Sequence, residues 1–106
     1  MYSIVLTTTD HEDVAKVISD KIISERLSPC VQIIPEIKSS FIWKNKIENS
    51  SEILIQVKTK DSNIKIIKDI IEKYHNYKVP EIISFEINIL NNSYREWFDN
   101  NITIKE

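Results

Sequence analysis

Two side chains in this sequence could bind a soft metal ion: the thiol of Cys30, the only cysteine, and the imidazole of His75. Thiolate and imidazole are ligands that suit copper and zinc. The chain has neither a CxxC nor an HxxxH pattern, and a closed zinc site needs four ligands. Cys30 could instead pack as a small apolar residue, and His75 could face the carbonyls of a helix end. We therefore treat Cys30 and His75 as candidate metal ligands that one chain alone does not complete.

A second group of polar side chains centres on the stretch HNYKVPEIISFEI, residues 75–87. Pro80 in this stretch fixes the backbone just before a predicted strand, so Tyr77 and Glu81 are held near the edge of a sheet. With Lys58 and Trp43, we expect them to line a cleft between subunits that takes a small anion or a polar metabolite. The alternative is a purely structural interface. In that case Lys58 pairs with Glu81, while Tyr77 and Trp43 are packing anchors.

The periodicity of apolar residues predicts the elements that position these side chains. In chain order they are a strand at 2–8, a helix at about 10–26, a hairpin at about 30–60, a helix from Asp61 to near Tyr74, a strand at 82–89 and a short helix at 93–100. The order strand–helix–strand–strand–helix–strand, with right-handed crossovers, places both main helices on one face of a single sheet. We predict a ferredoxin-like α+β sandwich that forms one domain over residues 1–106.

Residues suited to caps and turns predict where these elements end. Asp10 is placed to cap the first helix, and Asn76 to adopt a left-handed conformation after the second. Because the chain has no glycine, positive φ angles should fall on Asn or Asp, which predicts Asn45 at the hairpin turn. Pro35 predicts a bend or bulge in the first hairpin strand. The inward-facing side of the last helix should consist of Tyr94, Trp97 and Phe98.

The hairpin is too long for the domain that carries it. A strand of about fifteen residues spans about 50 Å, whereas a domain of this length is about 35 Å across. The hairpin should therefore project, or bend sharply near Pro35. A projecting ribbon is marginal in water and would expose Phe41, Ile42, Trp43 and Ile47. We expect a homo-oligomer joined through this ribbon.

Composition excludes several classes of function. The net charge is −2 with acids and bases mixed, so we expect no nucleic-acid partner. No apolar run has membrane-spanning length, no signal peptide is recognisable, and a lone cysteine favours the cytoplasm. A domain of this size needs no metal or cofactor to fold. Without glycine, the usual phosphate-binding loops and nucleophile elbows are absent, and we expect no enzymatic activity.

Four segments of the chain carry a recognisable family pattern. They are ERLSPCVQIIP at 25–35, FIWKNKIENSSEILIQVKT at 41–59, HNYKVPEIISFEI at 75–87 and YREWF at 94–98. With these segments in the same order over nearly the whole chain, the sequence resembles the CutA family of divalent-cation tolerance proteins. The family usually has Gly where this chain has Glu36 and Asn45, and Pro where it has Asn76. Pro29 replaces a small residue. These departures bear on local turn geometry more than on the fold.

The resemblance implies a ferredoxin-like homotrimer with a link to copper and other divalent cations, which we expect to bind weakly. It also implies an architecture similar to PII-type signalling trimers. The first functional hypothesis is thus a metal-tolerance trimer that uses Cys30 and His75. The second is a PII-like module that holds a small molecule between subunits. The third is a trimeric scaffold that presents its surface to another protein.

Overall fold

The computed structural model describes residues 1–105, which form a single sheet covered by helices. The elements are β1 Tyr2–Thr9, α1 Glu12–Ser24, β2 Cys30–Trp43, β3 Lys46–Lys60, a 3-10 turn Asp61–Asn63, α2 Ile64–Tyr74, β4 Ile82–Ile87 and α3 Asn92–Asn100. The strand order is β2-β3-β1-β4, and all neighbouring strands are antiparallel. The ferredoxin-like prediction is confirmed. None of the helices within residues 1–105 is both long enough and apolar enough to cross a membrane.

The hydrophobic core lies between α1, α2 and one face of the sheet. Along β3, Ile53, Ile55 and Val57 are buried while the side chains between them are less completely enclosed. This alternation is the pattern that the sequence predicts, because successive residues of a strand point to opposite faces. The core cluster consists of Val5, Ala15, Ile18, Ile22, Leu27, Ile53, Ile55, Val57, Ile67, Ile70 and Ile71. Each fully buried isoleucine stabilises the fold by about 1.5–3 kcal/mol.

The opposite face of the sheet, called the open face below, is only partly covered. Its apolar side chains include Leu6, Ile34, Leu54, Ile83 and Phe85. α3 covers one end, where Phe98 is fully buried and meets the ring of Tyr2 edge-to-face at 5.3 Å. The expectation that Trp97 faces inward is wrong, since 44% of it is exposed. A nine-residue helix at the rim of the sheet buries only one narrow side.

A bulge divides β2 into a part within the sheet and a part that projects. The pairing with β3 shifts between Ile34 and Ile37, which confirms the irregularity predicted at Pro35. One extra residue reverses the alternation, so Phe41, opposite Glu48, faces the side of the sheet that bears Leu54. The projecting ribbon, residues 37–52, is called the arm. The molecule measures 46 × 26 × 20 Å, which confirms that the hairpin extends beyond the body.

Positive φ angles within residues 1–105 occur at Arg26, Glu36, Lys44 and Asn45. The expectation that such angles fall on Asn or Asp is therefore wrong for three of the four positions. The angles of 50° at Lys44 and 63° at Asn45 form a two-residue hairpin turn, so the prediction for Asn45 is confirmed. The prediction for Asn76 is wrong. α2 ends at Tyr74, and the next residue continues with the extended angles φ −70° and ψ 146°. Because the chain leaves α2 in extended form, no left-handed residue is needed there.

The predicted N-cap of the first helix is also wrong. α1 begins at Glu12, and its N-cap is His11, whose side chain makes no capping hydrogen bond. The carboxylate of Asp10 instead accepts a hydrogen bond from Nδ2 of Asn76, at 2.8 Å. The cap residue suggested by local sequence is therefore engaged in a contact across 66 positions of the chain.

Candidate functional site

The segment between α2 and β4, residues 75–81, is called the joint, and side-chain hydrogen bonds fasten it to the end of β1. Oγ1 of Thr9 donates to Oδ1 of Asn76 at 2.6 Å, and Asn76 donates to Asp10 as described. Thr9 is fully buried and Asn76 is exposed, so this hydrogen bond is partly buried. These two hydrogen bonds thus fix the position of the joint beside the sheet.

Both ring nitrogens of His75 are used within the joint. Nδ1 lies 3.0 Å from the backbone nitrogen of Tyr77 and accepts its N–H. Nε2 lies 2.8 Å from the carbonyl oxygen of Thr8, so the proton of the neutral ring is on Nε2. This arrangement leaves no free lone pair on the imidazole within one protomer. A metal could bind His75 only after one of these hydrogen bonds is broken.

Tyr77 links the joint to the base of the arm. Its hydroxyl donates to Oε2 of Glu52 at 2.7 Å. Burial, reinforced by the hydrogen bond to the Glu52 carboxylate, raises the pKa of Tyr77 well above its usual value. Tyr77 therefore stays a protonated donor at neutral pH, and Glu52 accepts its hydrogen bond.

A cavity of about 920 Å³ lies between the arm, the joint and the end of β1 on the open face. The aromatic side chains in its wall are Phe41, Trp43 and Tyr77. Its ionisable side chains, apart from Tyr77, are Asp10, Glu48, Glu52, Lys78 and Glu81. A concave site with aromatic walls and a few polar groups is the usual form of a small-molecule pocket, for which volumes of about 300–1,000 Å³ are typical.

Three of the four residues predicted for a cleft come together in this cavity, namely Trp43, Tyr77 and Glu81. Lys58 does not. It lies on β3 six positions beyond Glu52, which corresponds to about 20 Å along a strand. Its ammonium group lies 3.4 Å from the hydroxyl of Tyr94 instead. The alternative pairing of Lys58 with Glu81 is not formed among residues 1–105 of one protomer either.

Cys30 lies at the same end of the sheet as Lys58, which is its partner across β2 and β3. Its backbone N–H donates to Oγ of Ser28 at 3.0 Å, and its thiol is free in a half-buried position. His75 contacts Thr8, whose β3 partner is Leu54, four positions from Lys58. The two candidate metal ligands are therefore separated by about 13 Å along the sheet alone. Within one protomer they cannot hold the same ion.

Of the four acidic residues in the cavity wall, sequence reasoning predicted Glu81 and missed Asp10, Glu48 and Glu52. Glu48 and Glu52 continue the alternation of Leu54 and Lys58 along β3, so this spacing could have placed them on the open face. It could not have shown that the bulge turns Phe41 to the same side. Asp10 was assigned to a helix cap, and its role at the joint depends on contacts distant in sequence.

The fold and the site define a small ferredoxin-like protein with a projecting hairpin and an acidic, aromatic cavity at its base. The sequence pattern of the CutA1 divalent ion tolerance protein family matches residues 3–101. The chain therefore belongs to the CutA1 family, which confirms the resemblance noted from the sequence.

Relatives from distant organisms share this similarity. The human protein CutA is 37% identical over 95 residues, which is 90% of this chain and 53% of the human protein. The chain thus spans about half the length of several animal and plant relatives that it matches, including those of human, mouse and rice. The divalent-cation tolerance protein CutA of Thermus thermophilus is 34% identical over 101 residues, 95% of this chain and 98% of that protein.

Solved structures give the same result for the fold. The divalent cation tolerance protein of Thermus thermophilus superimposes with a TM-score of 0.90 at 33% identity, covering 97% of this chain and all of that one. CutA1 from Oryza sativa superimposes with a TM-score of 0.91 at 32% identity, covering 98% and 95% of the two chains. The fold is therefore shared with these two structures over nearly the whole of this chain.

Proposed function

We propose that this protein acts in divalent-cation tolerance as a homotrimer that binds copper or a similar ion weakly, without catalysing a reaction. Family membership supports the role in tolerance, because several relatives carry that description. The observation that carries the assembly is the arm, whose apolar side chains are exposed on a single protomer. We expect the assembly in the cytoplasm, where a lone thiol such as Cys30 stays reduced.

The arm needs a partner for physical reasons. Ile42 and Ile47 face each other near the tip and are 74% and 78% exposed. Within residues 1–105, the two outer strands, β2 and β4, each leave one edge without a neighbour in the sheet. Exposed edges and apolar side chains together favour pairing with other copies of the same chain. Sedimentation of the intact protein at micromolar concentration tests the assembly, and a stable lone protomer would contradict it.

The metal proposal keeps Cys30 and His75 as candidate ligands but requires that different subunits or additional ligands complete each site. Among residues 1–105 no group of three His, Cys, Asp or Glu side chains is arranged to hold an ion. Two-ligand sites of this kind are expected to bind weakly, in keeping with the proposed role.

Titration with Cu(I) and Cu(II) by calorimetry tests these ligands. We expect Cys30→Ser to weaken Cu(I) binding and His75→Ala to weaken Cu(II) binding, since thiolate is the softer ligand. His11→Ala is the matched control, because His11 is exposed at the start of α1 and lies outside the cavity lining. Unchanged affinities in the Cys30 and His75 variants would remove both residues from the metal proposal.

A PII-like binding module is the second candidate function, and the cavity beside Trp43, Tyr77 and Glu81 favours it. A thermal-shift screen against metabolites tests this candidate, because any ligand that prefers the folded state raises the melting temperature. A stabilising ligand should lose its effect in Trp43→Ala. Lys58→Ala is the control, because Lys58 lies about 20 Å from Glu52 along β3. A screen in which no compound stabilises the protein would argue against a binding module.

A further inference from the structure

Residues 101–105, which follow α3 and are called the strap, are fastened to the body by one buried amide side chain. Asn63 is fully buried where the 3-10 turn meets α2. Its Nδ2 donates to the carbonyl oxygen of Thr103 at 2.8 Å, and its Oδ1 accepts the backbone N–H of Lys105 at 3.0 Å. Nδ2 also donates to the carbonyl oxygen of Leu27 at 3.0 Å. The Asn63 amide thus holds two backbone groups of the strap, and a buried amide is costly to leave without such partners.

Two further contacts tie the strap to the segment between α1 and β2. The backbone N–H of Thr103 donates to the carbonyl oxygen of Arg26 at 2.8 Å. The ammonium group of Lys105 lies 3.1 Å from Oε1 of Glu25, with both side chains partly exposed. Because an ion pair in contact with water contributes little, the hydrogen bonds of Thr103 and Asn63 provide most of the attachment.

α3, which leads into the strap, has little buried surface of its own. Phe98 is its one fully buried side chain. Asp99 accepts a hydrogen bond from the hydroxyl of Tyr2 at 2.8 Å and pairs with Lys60 at 3.0 Å, both at exposed positions. An isolated helix of nine residues is not stable in water. Segments with few buried apolar contacts open at a lower free energy than the core, so α3 and the strap should open together while the sheet stays folded.

The end of the open face that bears Cys30 lies next to α3. Cys30 and Lys58 are partners across β2 and β3, so their side chains are neighbours on the same face, with about 5 Å between their Cβ atoms. The ammonium group of Lys58 lies 5.5 Å from the centre of the Tyr94 ring of α3. Tyr94 therefore places α3 over Lys58 and beside Cys30, which is half-buried.

From these contacts we infer that α3 and the strap form a lid, which Asn63 holds closed and which opens as a unit from this end of the open face. Opening controls how readily the thiol of Cys30 is reached from solution. Asn63 is a positioning residue, because it acts on Cys30 only through the strap and α3. The inference goes beyond the metal proposal, since the lid opens whether or not Cys30 binds copper.

Two measurements on the intact protein in EDTA test the lid together. The first is the rate at which iodoacetamide alkylates Cys30, which is the only cysteine and therefore gives one labelled species. The second is hydrogen exchange of backbone amides at low urea concentrations. We expect alkylation and exchange at Lys105 to share a small urea dependence, because lid opening exposes little surface. Exchange at Val57 in the core of the sheet should show the larger urea dependence of global unfolding.

Variants of the strap and of its buried partner locate the attachment. Thr103→Pro removes the N–H that donates to Arg26 and should speed both Cys30 alkylation and exchange at Lys105 about tenfold. Thr103→Ala is the matched control, because it keeps that N–H and should leave both rates unchanged. Asn63→Ala removes two hydrogen bonds to the strap and should speed alkylation about a hundredfold. Thr103 is exposed, so its variants remain informative even if Asn63→Ala fails to fold.

Three results would overturn the inference in distinguishable ways. If exchange at Lys105 and at Val57 had the same urea dependence, α3 and the strap would open only when the whole domain unfolds. If Thr103→Pro sped exchange at Lys105 but not alkylation, the lid would not control access to Cys30. If Thr103→Ala acted as strongly as Thr103→Pro, the hydrogen bond to Arg26 would not help to hold the lid closed. The copper titrations described above test the metal proposal separately, and their outcome does not change these expectations.

Discussion

Ile55 and Ile47 lie on the same strand, eight positions apart, in opposite environments. Ile55 is fully buried beneath α1 and α2, whereas Ile47 stands near the tip of the arm with most of its surface exposed. The body thus buries its apolar side chains within one chain, and the arm does not. Apolar residues on one face of a strand can therefore have two different roles. At one end of the strand they form the core, and at the other end they form a surface that is suited to contact other molecules.

The largest expected effect separates these two regions directly. Ile55→Ala should lower the free energy of unfolding by about 3 kcal/mol, because it opens a cavity in a core that cannot collapse around it. Ile47→Ala should act only through assembly, so its effect on urea unfolding should depend on protein concentration. A loss below about 1 kcal/mol for Ile55→Ala would contradict the assignment of the core.

The junction between body and arm should give the next largest effect. Tyr77→Phe removes the hydroxyl that donates to Glu52 and should cost about 1–2 kcal/mol, because the buried carboxylate loses its hydrogen bond. Tyr94→Phe is the matched control, since its hydroxyl makes only a long 3.4 Å contact with Lys58. If Tyr77→Phe and Tyr94→Phe lowered the free energy of urea unfolding equally, the Tyr77–Glu52 hydrogen bond would not fasten the arm to the joint.

Alkaline pH offers a second measurement on the same bond. The raised pKa of Tyr77 means that the folded state favours the protonated phenol more than the unfolded state does. The resulting stability is fully present below the ordinary tyrosine pKa of 10.0 and is lost as pH rises toward the folded value. Ultraviolet absorbance should therefore show two phenols that ionise late, Tyr77 and Tyr2, whose pKa is raised mainly by its hydrogen bond to Asp99, and Tyr77→Phe should remove one of the two. If two late-ionising phenols persisted in Tyr77→Phe, this assignment would be refuted.

The smallest expected effect concerns the bulge at the base of the arm. Glu36 has a φ of 59°, a conformation that costs a residue with a side chain about 1–2 kcal/mol, and glycine avoids this cost. Glycine also loses more backbone entropy on folding than glutamate does, and this loss offsets part of the gain. Glu36→Gly should therefore stabilise the protein by about 0.5 kcal/mol. Asn45→Gly should change stability less, because asparagine tolerates the left-handed region. Destabilisation by Glu36→Gly in thermal unfolding would show that the Glu36 side chain has a contact of its own.

The body was largely predictable from the sequence and the site only in part. The alternation of apolar residues in β3 and their helical spacing in α1 and α2 show which side chains are buried. Both patterns can be found in the sequence because they involve residues close together along the chain. The position of Lys58 could not be obtained in this way, because residue types alone do not reveal which end of the sheet a cleft occupies. The bulge at Glu36 decides which face Phe41 occupies, and a single extra residue leaves little trace in the pattern of apolar residues.

Sedimentation equilibrium of the unmodified protein at micromolar concentration tests the central claim most directly, namely that the arm is completed by other copies of the chain. We predict a single species at three times the 12.5 kDa protomer mass, with Ile42→Asp and Ile47→Asp shifting it toward smaller species. A well-folded species of 12.5 kDa would contradict the account, because the exposed arm would then be stable without a partner.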